Sequence, residues 1–117
     1  MAYSEELTNR VREAIQYLPH VEEKKMFRGL TFMVNGKMCV SVSQDRIMCR
    51  IDPTIHDTLV EKPGCSTVIM KGKPYKGFVH VNELALKSKN ELEYWIGLAL
   101  EYNPRAKATV KKKKKNI

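Results

Sequence analysis

Apolar residues near the start of the chain (Leu7, Val11, Ala14, Ile15 and Leu18) recur at the three- and four-residue spacing of one helical face. Ser4 can cap that helix, Glu5 and Glu6 suit its first turn, and Pro19 stops it. Val21-Glu22-Glu23-Lys24-Lys25 reads as a polar connector. From Leu30 the period shortens to two. Leu30 to Val34, Lys37 to Ser43 and Arg46 to Ile51 read as strands joined by the tight turns Asn35-Gly36 and Gln44-Asp45. Asn-Gly takes the positive φ angles of a type I′ turn, which match the twist of the flanking strands. Two-residue loops fix a register in which Met33 faces Met38, Val42 faces Ile47 and Val40 faces Cys49. Those residues, with Thr31 and Ile51, are expected to share the core face. Leu30, Phe32, Val34, Cys39, Ser41, Met48 and Arg50 then fall on the opposite face, whose apolar end is expected either to meet a partner or to lie under a helix.

Asp52-Pro53 opens a second, short helix with Ile55 and Leu59 facing inward, and Pro63-Gly64 ends it. Ser66 to Met70 is the fourth strand, Lys71-Gly72-Lys73-Pro74 a turn, and Gly77 to Val81 the fifth strand. Ser88 and Glu91 form a capping box for a last helix whose buried stripe is Leu92, Trp95, Ile96 and Ala99, closed by Asn103-Pro104. Gly97 costs that helix about 1 kcal/mol relative to alanine, which points to close packing against a strand. The order is α-βββ-α-ββ-α. Strand runs with too few helices for βαβ units predict an α+β domain, an antiparallel five-stranded sheet packed with helices.

Composition changes this picture in one place. The formal charge is +8, but the seven cations from Arg105 to Ile117 set aside leave 14 Lys and Arg against 13 Asp and Glu, a net +1 for residues 1–104. The expected division is a folded domain over 1–104 and a disordered lysine-rich tail over 105–117. No apolar run reaches the ~20 residues of a membrane span, and Met1 to Glu6 carries no basic-then-apolar leader, so a cytoplasmic location without membrane attachment is expected. Cys39, Cys49 and Cys65 form no close pair and His20, His56 and His80 stand apart from them, so neither disulfides nor a metal site is expected.

Four segments carry a family likeness. They are Met26 to Met38, containing Phe27-Arg28-Gly29 and Asn35-Gly36; Asp45-Arg46-Ile47-Met48-Cys49-Arg50; Gly72-Lys73-Pro74-Tyr75-Lys76-Gly77-Phe78-Val79; and Glu93 to Leu100. In this order they resemble the TfoX N-terminal domain family, from about Leu7 to Tyr102. Arg28 departs from the Phe-Gly-Gly step commoner among such sequences. The resemblance implies an α/β sandwich like that of secretion chaperones, in a two-layer arrangement. Full-length members regulate natural competence in bacteria, as co-activators with a cyclic-AMP-dependent transcription factor, and carry a second domain. Here a short basic tail follows Asn103, as in a stand-alone copy of the N-terminal domain.

Two functions compete. The first is a non-enzymatic interaction domain, an accessory in transcription or competence regulation. Its protein partner, or a second copy in a homodimer, would meet a surface of Phe27, Arg28, Phe32, Val34 and Tyr75. The alternative is non-specific nucleic-acid binding, with Lys111, Lys112, Lys113, Lys114 and Lys115 of the tail and Lys73 and Lys76 of the body contacting phosphates. Against it, the nearly neutral body has no helix-turn-helix or RNP-like signature. No catalytic constellation and no cofactor motif is visible, so no enzyme and no cofactor are expected. Lys71 to Gly77 lacks the Gly-Lys-Ser/Thr ending of a phosphate loop.

Overall fold

The computed structural model describes residues 3–107. Helix α1 (Glu5–Ile15) leads into four strands, β1 (Val21–Met26), β2 (Gly29–Val34), β3 (Lys37–Val42) and β4 (Arg46–Arg50). A 3-10 turn (Pro53–Ile55) and a short α2 (His56–Leu59) connect to β5 (Cys65–Met70) and β6 (Lys73–Asn82). A 3-10 turn (Glu83–Ala85), α3 (Lys89–Tyr102) and a closing 3-10 turn (Asn103–Arg105) complete the fold. All strand pairs are antiparallel, in the order β1-β2-β3-β4-β6-β5. The domain is α+β, as expected, with one strand more than the five read from the pattern.

The additional strand is β1, in place of the polar connector. It is an edge strand, exposed along Glu22 to Lys25. Its alternation is therefore charged-on-charged, and the pairing is specified by what surrounds it. The Phe27-Arg28 turn has φ of 56° and 60°, the left-handed geometry of a type I′ hairpin. Arg12 of α1 grips Glu23 with two hydrogen bonds of 2.6 and 2.8 Å. Charged side chains on an edge also discourage pairing with another sheet.

Capping follows the sequence closely. The Ser4 hydroxyl accepts from Leu7 N–H at 3.1 Å, and Ser88 and Glu91 exchange two 3.0 Å bonds as a complete capping box. Helices α1 and α3 lie together on one face of the sheet. Leu7, Val11 and Ile15 of the first and Leu92, Trp95, Ile96 and Ala99 of the second join a core with Leu30, Phe32, Val34, Val40, Val42, Ile47, Cys49 and Ile51.

The three strand pairs deduced from the turns are present, Met33 with Met38, Val40 with Cys49 and Val42 with Ile47. Their grouping on one face is not. A bulge between Phe32 and Met33 pairs Phe32 with Val40, leaving Cys39 as the extra residue. One inserted residue reverses the facing of what lies beyond it. Met33 and Met38 therefore leave the helix side, Thr31 lies with them, and Leu30, Phe32, Val34 and Cys39 enter the core.

The C-terminal end of α3 is pinned to the β2–β3 turn. Asn103 is buried; its amide donates to Val34 O at 3.1 Å and accepts from Asn35 Nδ2 at 3.2 Å. Arg105 bonds Asp52 at 2.8 Å and Ala106 is buried, so the folded body runs two residues past the expected boundary at 104.

Two glycines test this packing in opposite directions. A Cβ on Gly29 would sit 2.0 Å from the carbonyl oxygen of Val42 in the neighbouring backbone, whereas one on Gly97 meets nothing within 4 Å. Gly97 thus faces open space and not a strand. Gly29→Ala is expected to lower the thermal unfolding midpoint steeply or prevent folding, and Gly97→Ala to stabilise by about 1 kcal/mol. Calorimetry or thermal circular dichroism on the two variants checks both.

Candidate functional site

The sheet has a second face that no helix covers. Directly opposed residues share a face, so the register lays out its rows. One row runs Lys24, Thr31, Ser41, Met48, His80 and Ser66 across the strands. Beside it lie Glu22, Met33, Met38, Arg50 and Phe78. Met33, Met38, Met48 and Val68 form a second apolar cluster, against which Met26, Met70 and Phe78 pack. Among the described residues that cluster contains strand residues alone. Five of the chain's six methionines are there.

Met38 is 1% exposed and Met48 5%, unusual dryness for a face without a covering layer. A second irregularity in the sheet accompanies it. Between Thr67 and Val68 the β5–β6 pairing jumps from Val79 to Tyr75, so Lys76, Gly77 and Phe78 have no partner on β5. Gly77 takes φ 96° and donates its N–H to Nδ1 of buried His56 at 2.9 Å. Because Nδ1 accepts, the ring proton sits on Nε2, which donates to Thr67 Oγ1 at 2.9 Å. His56 thus clamps the bulge from the helix side. Past it the β5–β6 hairpin runs on as a two-stranded arm carrying Val68, Met70, Lys73 and Tyr75.

Arg50 occupies the junction of face and arm. Its guanidinium carbon lies 5.5 Å from the centre of the Phe78 ring, and Phe78 meets Tyr75 edge-on at 6.2 Å. Nη1 of Arg50 is buried and has no hydrogen-bond partner. Lys24, Arg46, Arg50 and Lys73 outnumber Glu22 on the face, and Asp45 of the β3–β4 turn reaches it through His80.

The sequence-derived surface residues divide. Phe32 (0% exposed) and Val34 (5%) are under the helices, because the bulge turned them inward, and are corrected from surface to core. Phe27 and Tyr75 are exposed, but the Phe27-Arg28 turn opens β2 whereas Tyr75 and Lys73, paired with Val68 and Met70 of β5, and Lys76 belong to the arm. The two groups therefore lie at opposite ends of the sheet and form no common patch. Lys76 approaches Asp57 at 3.8 Å. Lys111 to Lys115 fall outside the described residues. His56 and the pairing of Arg50 with Phe78 escaped the sequence reading, since both depend on the register jump in β6.

Chemistry elsewhere is sparse. Cys39, Cys49 and Cys65 are free and buried. Burial pushes Cys39 up to about 12 and Cys65 up to about 11, and holds Cys49 well above the ordinary thiol value, so none is poised as a thiolate. Among the described residues no three His, Cys, Asp or Glu side chains converge as metal ligands. A groove of ≈ 760 Å³ runs between the loop at Lys62, Leu84, Tyr94 and Trp95. Its Asn82 and Glu91 side chains already accept from the backbone N–H groups of Leu84 and Ser88. Among the described residues no helix is long and apolar enough to cross a membrane.

An antiparallel sheet with both large helices on one face, and a methionine-rich face without a covering helix on the other, defines an α+β domain. The chain belongs to the TfoX N-terminal domain family, whose pattern it matches over residues 13–102. No curated protein and no solved structure matches it.

His80 provides a pH test of the open face. Burial and then the neighbouring Arg46 charge lower it from 6.5 to about 4, with Asp45 opposing. Above pH 6.5 it is neutral folded and unfolded. As pH falls from 6.5 to about 4 the unfolded chain takes up the proton first, so stability declines across that window and levels below it. His80→Gln is expected to flatten that part of the urea-midpoint profile, and the His80 ring signal to titrate near 4 in the folded protein.

Proposed function

We propose that this domain is a non-enzymatic docking module, an accessory in transcription or competence regulation, which holds a protein partner on the open sheet face and the adjoining β5–β6 arm. The observation that carries the reading is the methionine cluster. Methionine is unbranched and polarisable, and a surface made of it repacks around a partner with little strain. The cluster lies on a sheet face with no helix over it, and its members are held nearly dry by one another. Membership of the TfoX N-terminal domain family supports the regulatory setting.

Nucleic-acid binding is the competing reading, favoured by Lys73 and Lys76 flanking the exposed Tyr75 on the arm, with the terminal lysines adding non-specific phosphate contacts.

A photo-crosslinking residue at Tyr75, compared with one at exposed Tyr17, separates the readings in host cells. A discrete protein adduct at 75 and none at 17 is the expected result. Truncation after Lys107 preserves Ala106 and the Arg105 contact to Asp52. The truncated domain is expected to keep the protein adduct while any affinity for nucleic acid drops. Nucleic-acid adducts at 75 in place of protein would overturn the docking proposal.

A further inference from the structure

We infer that the partner segment is acidic, and that Arg50 is the anchor for one of its carboxylates while the methionines receive apolar side chains on either side. The inference rests on the docking reading above and specifies its chemistry. A guanidinium nitrogen enclosed without an acceptor is costly, and such groups in folded proteins call for a partner. The Phe78 ring offsets part of that cost, since a cation 5.5 Å from a ring centre is attracted to the π face. The ring accepts no conventional hydrogen bond, so the buried Nη1 keeps an unused donor. A carboxylate matches the guanidinium fork in geometry and charge.

The surroundings favour an acid as well. Lys24, Arg46 and Lys73 lie on the same face as Arg50, against Glu22 on the face and Asp45 at its β3–β4 margin. A second copy would bring two such cationic faces together, which like-charge repulsion opposes. A phosphate backbone would satisfy the cations but leave Met33, Met38, Met48 and Met70 without apolar contact. An extended or helical peptide alternating apolar and acidic residues satisfies both. The methionines nearby on the same face are unbranched and can repack around a peptide laid beside Arg50.

The methionines themselves are the reporters. Isotope-labelled methionine methyl groups in the full chain are titrated with two synthetic peptides sharing the same leucines and phenylalanines. One carries glutamates between them and the other lysines. The glutamate peptide is expected to shift the signals of Met33, Met38, Met48 and Met70 saturably, with affinity falling as salt rises. Arg50→Met is expected to weaken that binding about tenfold or more while leaving the unfolding midpoint equal or higher, because an apolar residue suits the cluster better than an unpaired charge. Arg10→Gln, on the helix side, serves as the charge-matched control and is expected to bind as the parent does.

Equal binding of the lysine peptide, no shift with either, or unchanged affinity in Arg50→Met would overturn the inference. So would methyl shifts that follow protein concentration alone, which would assign the face to a second copy. If crosslinking at Tyr75 yields a protein and the glutamate peptide still fails, the docking module stands without its acid specificity. If both fail, both proposals fall.

Discussion

A single extra residue in β3 governs the architecture. Both hairpins around that strand close with two-residue loops, so without the bulge at Cys39 the strands would alternate evenly from turn to turn. Met33 and Met38 would then lie with Val40 and Val42 beneath the helices, and Phe32 would stand outside. The bulge lets Phe32 and Val34 join Val40, Val42 and Ile47 in one core. Phe32 is fully buried, and burying an aromatic ring of that size contributes about 3 kcal/mol. That gain exceeds the loss of one ladder hydrogen bond, roughly 1 kcal/mol net. The same shift sends the thioethers to the other side, so core and open face arise from one local event.

The bulge in β6 complements it. Gly77 supplies a backbone conformation with φ 96° that other residues rarely adopt, and His56 accepts the N–H that the interrupted ladder leaves free. Bulges bend strands and increase their twist. With irregularities on both sides of β4, the open face folds around its own side chains, which accounts for methionines that are nearly dry without a covering helix. Soft side chains suit such a place. They fill an irregular surface in the free protein and yield when something replaces them.

Much of this fold was legible in the letters. The helix caps at Ser4, Asp52 and Ser88, the buried stripe of α3 and the Asn35-Gly36 turn all follow from local chemistry, and local chemistry is what a sequence displays. Three strand pairs were also recoverable, because loop length fixes register near a turn. What stayed hidden is long-range. No residue near Cys39 announces a bulge; the packing of Phe32 against α1 and α3 selects it. Strand β1 lacks apolar alternation, and its pairing depends on a left-handed turn at Phe27-Arg28 and on Arg12 from a distant helix. The open face inherits both gaps. Its members were visible as Met48, Arg50, Lys73 and Tyr75, but their convergence waits on two register shifts.

Charge is distributed in keeping with this division of faces. Residues 1–104 have a net charge of only +1, so with Glu22 and Asp45 alone near the cationic face, most acids lie elsewhere. Six of them are on α1 and α3. Helix α1 holds Glu5, Glu6 and Glu13 against Arg10 and Arg12, and α3 holds Glu91, Glu93 and Glu101 against Lys89. Helices α1 and α3 thus carry six acids against three cations, while Lys25, Lys37 and Arg105 return positive charge to the helix side. Charge alone therefore separates the two faces only modestly. What sets the open face apart is Arg50 at its junction with the arm, where a buried guanidinium nitrogen without a hydrogen-bond partner lies beside the Phe78 ring.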